Sequence, residues 1–219
     1  MFRLFALIFA SLIAVQSNPS HAGENPGVIE GAFGIKFEQD GASLSALGFG
    51  EGKQSSPGRD HIYRRQQDGD FFPLLEVMTS PISDKVIGVF ATKYYTGGLD
   101  ASYDACVTDY ENIKTVIYKK YPSLKVFGPW STKKDDADGK IVTQLLVSKL
   151  TYDKGFESYD GNSIQITCAT QRPSGDTGLF LKYHLGGSSY KKYFDEIDQD
   201  KKNRSGSELS KKGLNTEGL

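Results

Sequence analysis

Residues 100–121 read DASYDACVTDYENIKTVIYKKY, and this stretch decides the fold class. Its apolar residues recur at steps of three and four, which places all of them on one face of a helix: Tyr103, Cys106, Tyr110, Ile113, Ile117 and Tyr121. Asp104 lies in the first turn and Lys119 in the last, as the helix dipole favours, and Pro122 ends the pattern. The sequence therefore predicts one long helix whose apolar face covers another layer.

Short strands are predicted on both sides of this helix. Leu74–Thr79 and Lys85–Lys93 are rich in β-branched and aromatic residues, and the turn between them contains Pro and Asp, which indicates a β-hairpin. Ser163–Ala169 and Gly178–Leu185 alternate apolar and polar residues around a loop, as an antiparallel pair does. Four further segments have strand character: Ala32–Phe37, Ile62–Gln66, Leu124–Phe127 and Ile141–Lys149.

A second helix is predicted from Ser188 to about Lys201. Its packing residues follow the i, i+3, i+4, i+7 spacing: Tyr190, Tyr193, Phe194 and Ile197. The opposite side is interpreted as a solvated face of carboxylates: Asp195, Glu196, Asp198 and Asp200. Strands without a βαβ rhythm indicate the α+β class. We expect a mostly antiparallel sheet with one face covered by the helix at about 100–121 and the C-terminal helix at about 188–201.

Residues 1–22 have the features of a cleavable secretory signal peptide. Arg3 precedes an apolar run from Leu4 to Val15, and the segment ends in small residues, so cleavage is expected between Ala22 and Gly23. A run of about a dozen apolar residues is shorter than the roughly 20 that span a bilayer. The sequence predicts an exported chain with no membrane insertion after signal cleavage, in the periplasm or, as the second choice, outside the cell.

The mature chain is expected to form a single α+β domain over residues 23–201, followed by a disordered tail over residues 202–219. The tail is rich in Lys, Ser, Gly, Asn and Glu and has little apolar surface to bury. Loss of Arg3 with the signal peptide changes the net charge from −1 to near −2. Basic and acidic residues are interspersed up to the tail, so nucleic acid is excluded as an expected partner.

Cys106 and Cys168 are the only two cysteines, and they are predicted to form a disulfide. An even cysteine count in a chain addressed to an oxidising compartment favours pairing. Cys106 lies on the apolar face of the first helix, and Cys168 shares a strand face with Ile164 and Ile166. A helix packed on a sheet brings two such positions into one interface.

Two segments resemble ligand-binding loops but lack the residues that the chemistry requires. Gly48–Lys53 is followed by Gln54 where a phosphate-binding loop needs Ser or Thr, and Leu47 stands where that loop needs Gly. Asp135–Gly139 would place Lys134 at the first ligand position of a calcium loop, which requires an oxygen donor. A flexible loop and an acidic hairpin turn are the better interpretations.

No catalytic, cofactor-binding or metal-binding residue is predicted. His61 lies beside Asp60 in a polar loop, and His184 lies on the outer face of a predicted strand, but neither has a nucleophile and an orienting partner in the sequence pattern. Both are interpreted as surface residues. Four aromatic residues in or near predicted loops form a possible binding surface: Tyr94, Tyr95, Trp130 and Tyr159.

The segment FGIKF at residues 33–37 resembles the start of many small exported bacterial proteins, in which a phrase such as FGIxFG opens the mature domain. The resemblance continues through the hairpin at 74–91, the helix end KKYP at 119–122, the strand IQITC at 164–168 and the closing helix. These small two-cysteine α+β proteins are mostly uncharacterised. The resemblance implies a compartment and a fold, and it implies no catalytic residue.

Three functions are compatible with these observations. The first is an exported non-enzymatic domain that binds another macromolecule or a cell-envelope component. The second is a secreted inhibitor of a host or competitor enzyme, which would use a projecting loop at Lys133–Gly139 or Gln171–Gly178. The third is a hydrolase whose scattered Asp, Glu and Tyr residues meet only in the folded chain. The absence of a catalytic pattern and the high aromatic content, 12% of residues, favour the first.

Overall fold

Ten strands and three helices make up the fold in a computed structural model, which describes residues 29–54, 61–135, 141–151, 161–171 and 176–211. The strands are β1 Gly31–Ala32, β2 Ile35–Lys36, β3 Lys53–Gln54, β4 His61–Gln66, β5 Leu74–Thr79, β6 Val86–Tyr95, β7 Lys125–Asp135, β8 Ile141–Thr151, β9 Ser163–Gln171 and β10 Asp176–His184. The helices are a 3-10 helix Gly41–Leu47, α1 Leu99–Lys120 and α2 Gly187–Lys211. The predicted α+β class is confirmed.

Eight of these strands form one sheet in the order β3-β4-β5-β6-β10-β9-β8-β7, and every neighbouring pair is antiparallel. The sheet therefore consists of two meanders, β3 to β6 and β7 to β10, which meet where β6 pairs with β10. Helix α1 connects the last strand of the first meander to the outer edge of the second. The two predicted hairpins, β5–β6 and β9–β10, are both present.

Helix α1 packs on one face of this sheet, against β6, β9 and β10. Its predicted apolar face is the one that is buried, with Cys106, Tyr110, Ile117 and Tyr121 in the main core. The Cys106–Cys168 disulfide is confirmed: it joins α1 to β9 across a Cα–Cα distance of 5.9 Å. Helix and sheet are thus linked covalently at the centre of the core.

The N-terminal segment completes the core beside α1. Leu44, on the 3-10 helix, and Phe49 are buried in the same cluster as α1. The prediction of one strand over Ala32–Phe37 was wrong, because Phe33 and Gly34 form a two-residue turn with φ of +55° and +77°. Positive φ at both central residues gives the turn a twist that matches two antiparallel strands, so β1 and β2 form a hairpin.

Helix α2 packs on the sheet through a small second cluster, in which Tyr193 is buried with Ile87 and Leu185. The prediction that Phe194 packs inward was wrong, because its side chain is 48% exposed. The Glu196 carboxylate is not simply solvated, since it accepts hydrogen bonds from the backbone N–H and hydroxyl of Ser83. Because α2 packs on the sheet through so small a cluster, it buries fewer of its apolar residues than their spacing predicts.

The structure describes part of the predicted C-terminal tail and none of the predicted signal peptide. Residues 202–211, part of the predicted disordered tail, continue α2 as a helix. The rest of the tail, residues 212–219, lies outside the described residues, as does the whole predicted signal peptide with the Ala22–Gly23 cleavage site.

Candidate functional site

The sheet has a second face, opposite α1, which we call the groove face. Since side chains alternate along a strand, the register places β4, β5, β6 and β10 residues on it in rows. One row runs Arg64, Glu76, Phe90 and Lys182 from β4 to β10, and the next runs Gln66, Leu74, Thr92 and Phe180.

A groove of about 740 Å³ lies over these rows. Its border mixes apolar, polar and charged side chains, and the main ones are Arg64, Gln66, Leu74, Glu76, Phe90, Thr92, Tyr94, Phe180 and Lys182. Both the volume and the mixture are typical of a ligand site, in which a few polar groups orient a ligand on an apolar surface.

Two glycines explain why the sheet surface is hollow here. The far end of the Phe90 ring lies over Gly88, where an added Cβ would stand 3.0 Å from Phe90 Cζ. The Phe180 ring lies over Gly178 in the same way, at 2.6 Å. Each ring leans toward the start of its own strand. Because β6 and β10 are antiparallel, the two rings point away from each other. The space between them is left above Thr92, whose own side chain is too small to fill it.

Each ring is fixed in its leaning position by an aromatic neighbour across the β6–β10 pair. The centroids of Phe90 and His184 are 5.4 Å apart with planes at 72°, and those of Phe180 and Tyr94 are 6.1 Å apart at 87°. Both are edge-to-face contacts, the geometry that aromatic pairs favour. Tyr94 is itself 58% exposed, so it stands at the end of the groove as a contact surface.

Trp130 extends the aromatic surface to the far edge of the sheet. The register runs from Phe180 through Thr167 and Val147 to Trp130, and this spans three strand spacings, or about 14 Å. The indole also lies over a glycine two residues earlier, Gly128, where an added Cβ would stand 2.7 Å from Trp130 Cε3. Trp130 lies within β7 rather than in the predicted loop.

The three glycine–aromatic pairs share a signal that the sequence analysis missed. Each is a glycine followed two positions later by an aromatic residue on the same strand: Gly88 and Phe90, Gly128 and Trp130, Gly178 and Phe180. An aromatic ring folded over a strand glycine shields the backbone that the missing side chain leaves uncovered. The pattern can be read from the sequence, but the meeting of the three pairs on one face depends on the strand order.

Charge on the groove face is mainly basic among the described residues. Arg64 Nε donates to Glu76 Oε1 at 2.6 Å, which orients the guanidinium at the rim. The Lys182 ammonium lies 6.0 Å from the centroid of the Phe90 ring. Lys149 follows two strands further along the same row and is buried. Glu76 is thus the one carboxylate in this row, and it is paired.

His184 lies on the outer face of β10, as the sequence predicted, and its side chain is half-buried there. Burial is the main cause that lowers its pKa to about 4, and the positive charges of Lys182 and Lys149 lower it further. The imidazole is therefore neutral near pH 7. Its role in the structure is to pack against the edge of Phe90, which helps to hold that ring over Gly88.

His61 belongs to a separate cluster around Asp84, in the turn between β5 and β6. Its Nδ1 lies 3.8 Å from Asp84 Oδ1, and the same carboxylate accepts hydrogen bonds from Tyr63 at 2.9 Å and Thr79 at 2.7 Å. Burial and the Asp84 carboxylate raise the pKa of Tyr63 to about 12. Thr79 is fully buried and cannot reach a substrate. The cluster fastens β4 to the hairpin turn, and Asp60 lies outside the described residues.

The structure describes only part of the remaining segments that the sequence offered as candidate sites. In the glycine-rich stretch, Gly48 ends the 3-10 helix and Phe49 is buried under the Arg65 guanidinium, so this loop is structural. Most of the acidic turn at 135–139, the tips of both candidate inhibitor loops and Tyr159 lie outside the described residues. Within the described part of the chain, no group of three or more His, Cys, Asp or Glu could hold a metal ion.

No protein-family model, curated protein or solved structure matches this chain. The resemblance to small exported bacterial proteins therefore stays a prediction. Among the described residues, no helix has both the length and the apolar character needed to cross a membrane.

Proposed function

We propose that this protein is an exported, non-enzymatic domain that binds a macromolecule or another cell-envelope component through the groove face. One observation carries the proposal: the rings of Phe90 and Phe180 lie back over glycines and leave a groove above Thr92. The groove leaves part of both rings exposed, and a bound ligand would bury that apolar surface. The presence of the groove is explained if a ligand fills it.

The chemistry of the groove favours binding over catalysis. General acid–base catalysis needs titratable groups that are positioned to exchange protons with a substrate. The carboxylate of Glu76, which lines the described part of the groove, is engaged by Arg64, and the neutral His184 beside it packs edge-to-face with Phe90. Aromatic and basic side chains around a shallow hollow instead favour recognition.

Two features support export. Residues 1–22 have the pattern of a signal peptide that is cleaved between Ala22 and Gly23. The Cys106–Cys168 disulfide supports the same assignment, since disulfides persist in oxidising compartments. The periplasm is the compartment that we favour, with the cell exterior second.

Site-specific photo-crosslinking tests the proposal. We expect a benzophenone amino acid in place of Tyr94, at the end of the groove, to capture a partner in cell-envelope extract. The matched control is the same replacement at Tyr118, on α1 and 42% exposed against 58% for Tyr94. The same captured species at Tyr94 in repeated experiments, and none at Tyr118, is the expected result. Equal capture at both positions, or none at Tyr94, would contradict the proposal.

A further inference from the structure

We infer that the ligand of the groove face is an acidic polysaccharide, an inference that rests on the proposed function and names its partner. Sugar rings stack on the aromatic side chains, and carboxylates of the polymer pair with Arg64 and Lys182. Three features of the groove point to this ligand: the exposed aromatic rings, the spacing of the cations and the polar groups between them.

The aromatic rings of the groove suit the flat side of a sugar. The far ends of the Phe90 and Phe180 rings lie over glycines, and both rings remain partly exposed at the groove. A pyranose ring has an apolar C–H side that packs on such a surface. Trp130, about 14 Å from Phe180, offers a further platform of the same kind.

The cations indicate that the ligand is anionic and extended. Arg64 and Lys182 lie in one row, three strand spacings or about 14 Å apart, with Glu76 and Phe90 between them. A small carboxylate cannot reach both, whereas a polymer with repeated carboxylates can. The Glu76 bond uses Arg64 Nε, so the two Nη groups can pair with a ligand carboxylate through two parallel hydrogen bonds.

The polar groups favour a sugar polymer over other anionic polymers. Glu76 and Gln66 at the groove can accept hydrogen bonds from the hydroxyls of a sugar polymer, whereas the linkages of a phosphodiester backbone offer no donors to them. A peptide that binds by strand addition does so through its backbone at a sheet edge rather than on a sheet face. A lipid tail requires an apolar lining, and this groove is bordered by Arg64, Glu76 and Lys182.

Binding of purified acidic polysaccharides to the mature protein tests the inference. We expect titration calorimetry to detect binding of polygalacturonate, alginate or hyaluronate, and binding should weaken as salt rises. Fully methyl-esterified polygalacturonate keeps the sugar and removes the charge. Polyglutamate keeps the carboxylates and removes the sugar. Each of these controls should bind at least about tenfold more weakly than the acidic polysaccharide.

Two variants place the binding on the groove face. Lys182→Gln and Phe180→Ala should each weaken binding by about tenfold. Lys119→Gln makes the same charge change on the exposed part of α1 and should leave the affinity unchanged. Because Phe180→Ala also removes packing, its circular dichroism spectrum and melting curve are compared with those of the parent. The change in affinity of Lys182→Gln can be interpreted without that comparison of folding.

The outcomes separate this inference from the proposed function. If none of the three acidic polysaccharides binds while Tyr94 still captures a partner, the polysaccharide assignment is overturned and the binding function stands. Equal or tighter binding of polyglutamate, or of a single-stranded oligonucleotide, overturns the polysaccharide assignment in favour of that class. If nothing binds and Tyr94 captures nothing, both proposals fail.

Discussion

Gly178 and Phe180 define the groove together: the ring lies over the glycine, and a Cβ added at Gly178 would stand 2.6 Å from Phe180 Cζ. Gly178→Ala should therefore push the ring back over Thr92 and partly fill the groove. We expect a loss of about 1 kcal/mol in the free energy of unfolding from overpacking, together with weaker crosslinking at Tyr94.

The control for this substitution is Gly50→Ala. An added Cβ at Gly50 meets only the Arg64 carbonyl oxygen at 3.7 Å, an ordinary contact distance. Its free energy of unfolding, measured by urea denaturation, should stay within about 0.5 kcal/mol of the parent. Unchanged crosslinking in Gly178→Ala would show that the position of the Phe180 ring does not control the groove.

Processing of the N-terminus is the second prediction. The exported protein should have an intact mass that corresponds to a chain beginning at Gly23, because the Ser20-His21-Ala22 sequence has the small residues that signal peptidase reads. Mass spectrometry of the soluble fraction checks this. A soluble species that retains Met1 would exclude the signal-peptide assignment.

The third prediction concerns the disulfide. Cys106 and Cys168 are separated by 62 residues, and in the chain-entropy model closing such a loop stabilises the fold by about 4 kcal/mol. The Cys106→Ala/Cys168→Ala double variant should lose up to this amount in urea denaturation. Peptide mapping without reductant should recover the two cysteines as one linked pair. Recovery of two freely alkylated thiols would contradict the pairing.

The fourth prediction concerns a buried hydrogen bond between α1 and β8. The hydroxyls of Tyr110 and Ser148 are paired, and both side chains are fully buried. Tyr110→Phe leaves the Ser148 hydroxyl without this partner and should cost about 1–3 kcal/mol of stability. Adding Ser148→Ala removes the stranded hydroxyl, so the double variant should be less destabilised than the sum of the two single variants. Additive losses would show that the pair is not coupled.

The elements that could be predicted from the sequence are those whose signal is local. The three- and four-residue spacing around Tyr110 predicted the buried face of α1, and alternation around Ile166 predicted β9. These two patterns together predicted the Cys106–Cys168 contact. The strand predicted at Ala32–Phe37 failed because alternation does not distinguish one strand from two short ones joined at Gly34.

The groove could not be predicted, because it depends on which strands pair. Phe90 lies beside Lys182 only because the last strand of one meander pairs with the last strand of the other. Arg64 and Trp130 likewise share a face only through the full strand order. The hydrogen bond between Glu196 and Ser83 is also non-local, so the local sequence pattern assigns this carboxylate to a solvated face.

The last prediction is a pH dependence of stability that arises from His184. Burial, with Lys182 and Lys149 nearby, holds its pKa at about 4 in the folded protein, compared with 6.5 for an ordinary histidine. Between these values the unfolded chain binds a proton that the folded chain does not, so stability rises with pH in this range. The stabilisation is fully present above pH 6.5, and it is lost as the pH falls towards 4. The loss should reach roughly 3 kcal/mol.

Comparison with His184→Gln isolates this effect from the carboxylates that also titrate in acid. Urea denaturation of both proteins at several pH values gives the difference in their free energies of unfolding. We expect that difference to change steadily between pH 6.5 and 4, with the parent losing more stability than the variant as the pH falls. Parallel curves would mean that His184 is protonated in the folded protein as readily as in the unfolded chain. The imidazole would then be solvated rather than packed edge-to-face with Phe90, and the Phe90 ring would lack the neighbour that holds it over Gly88.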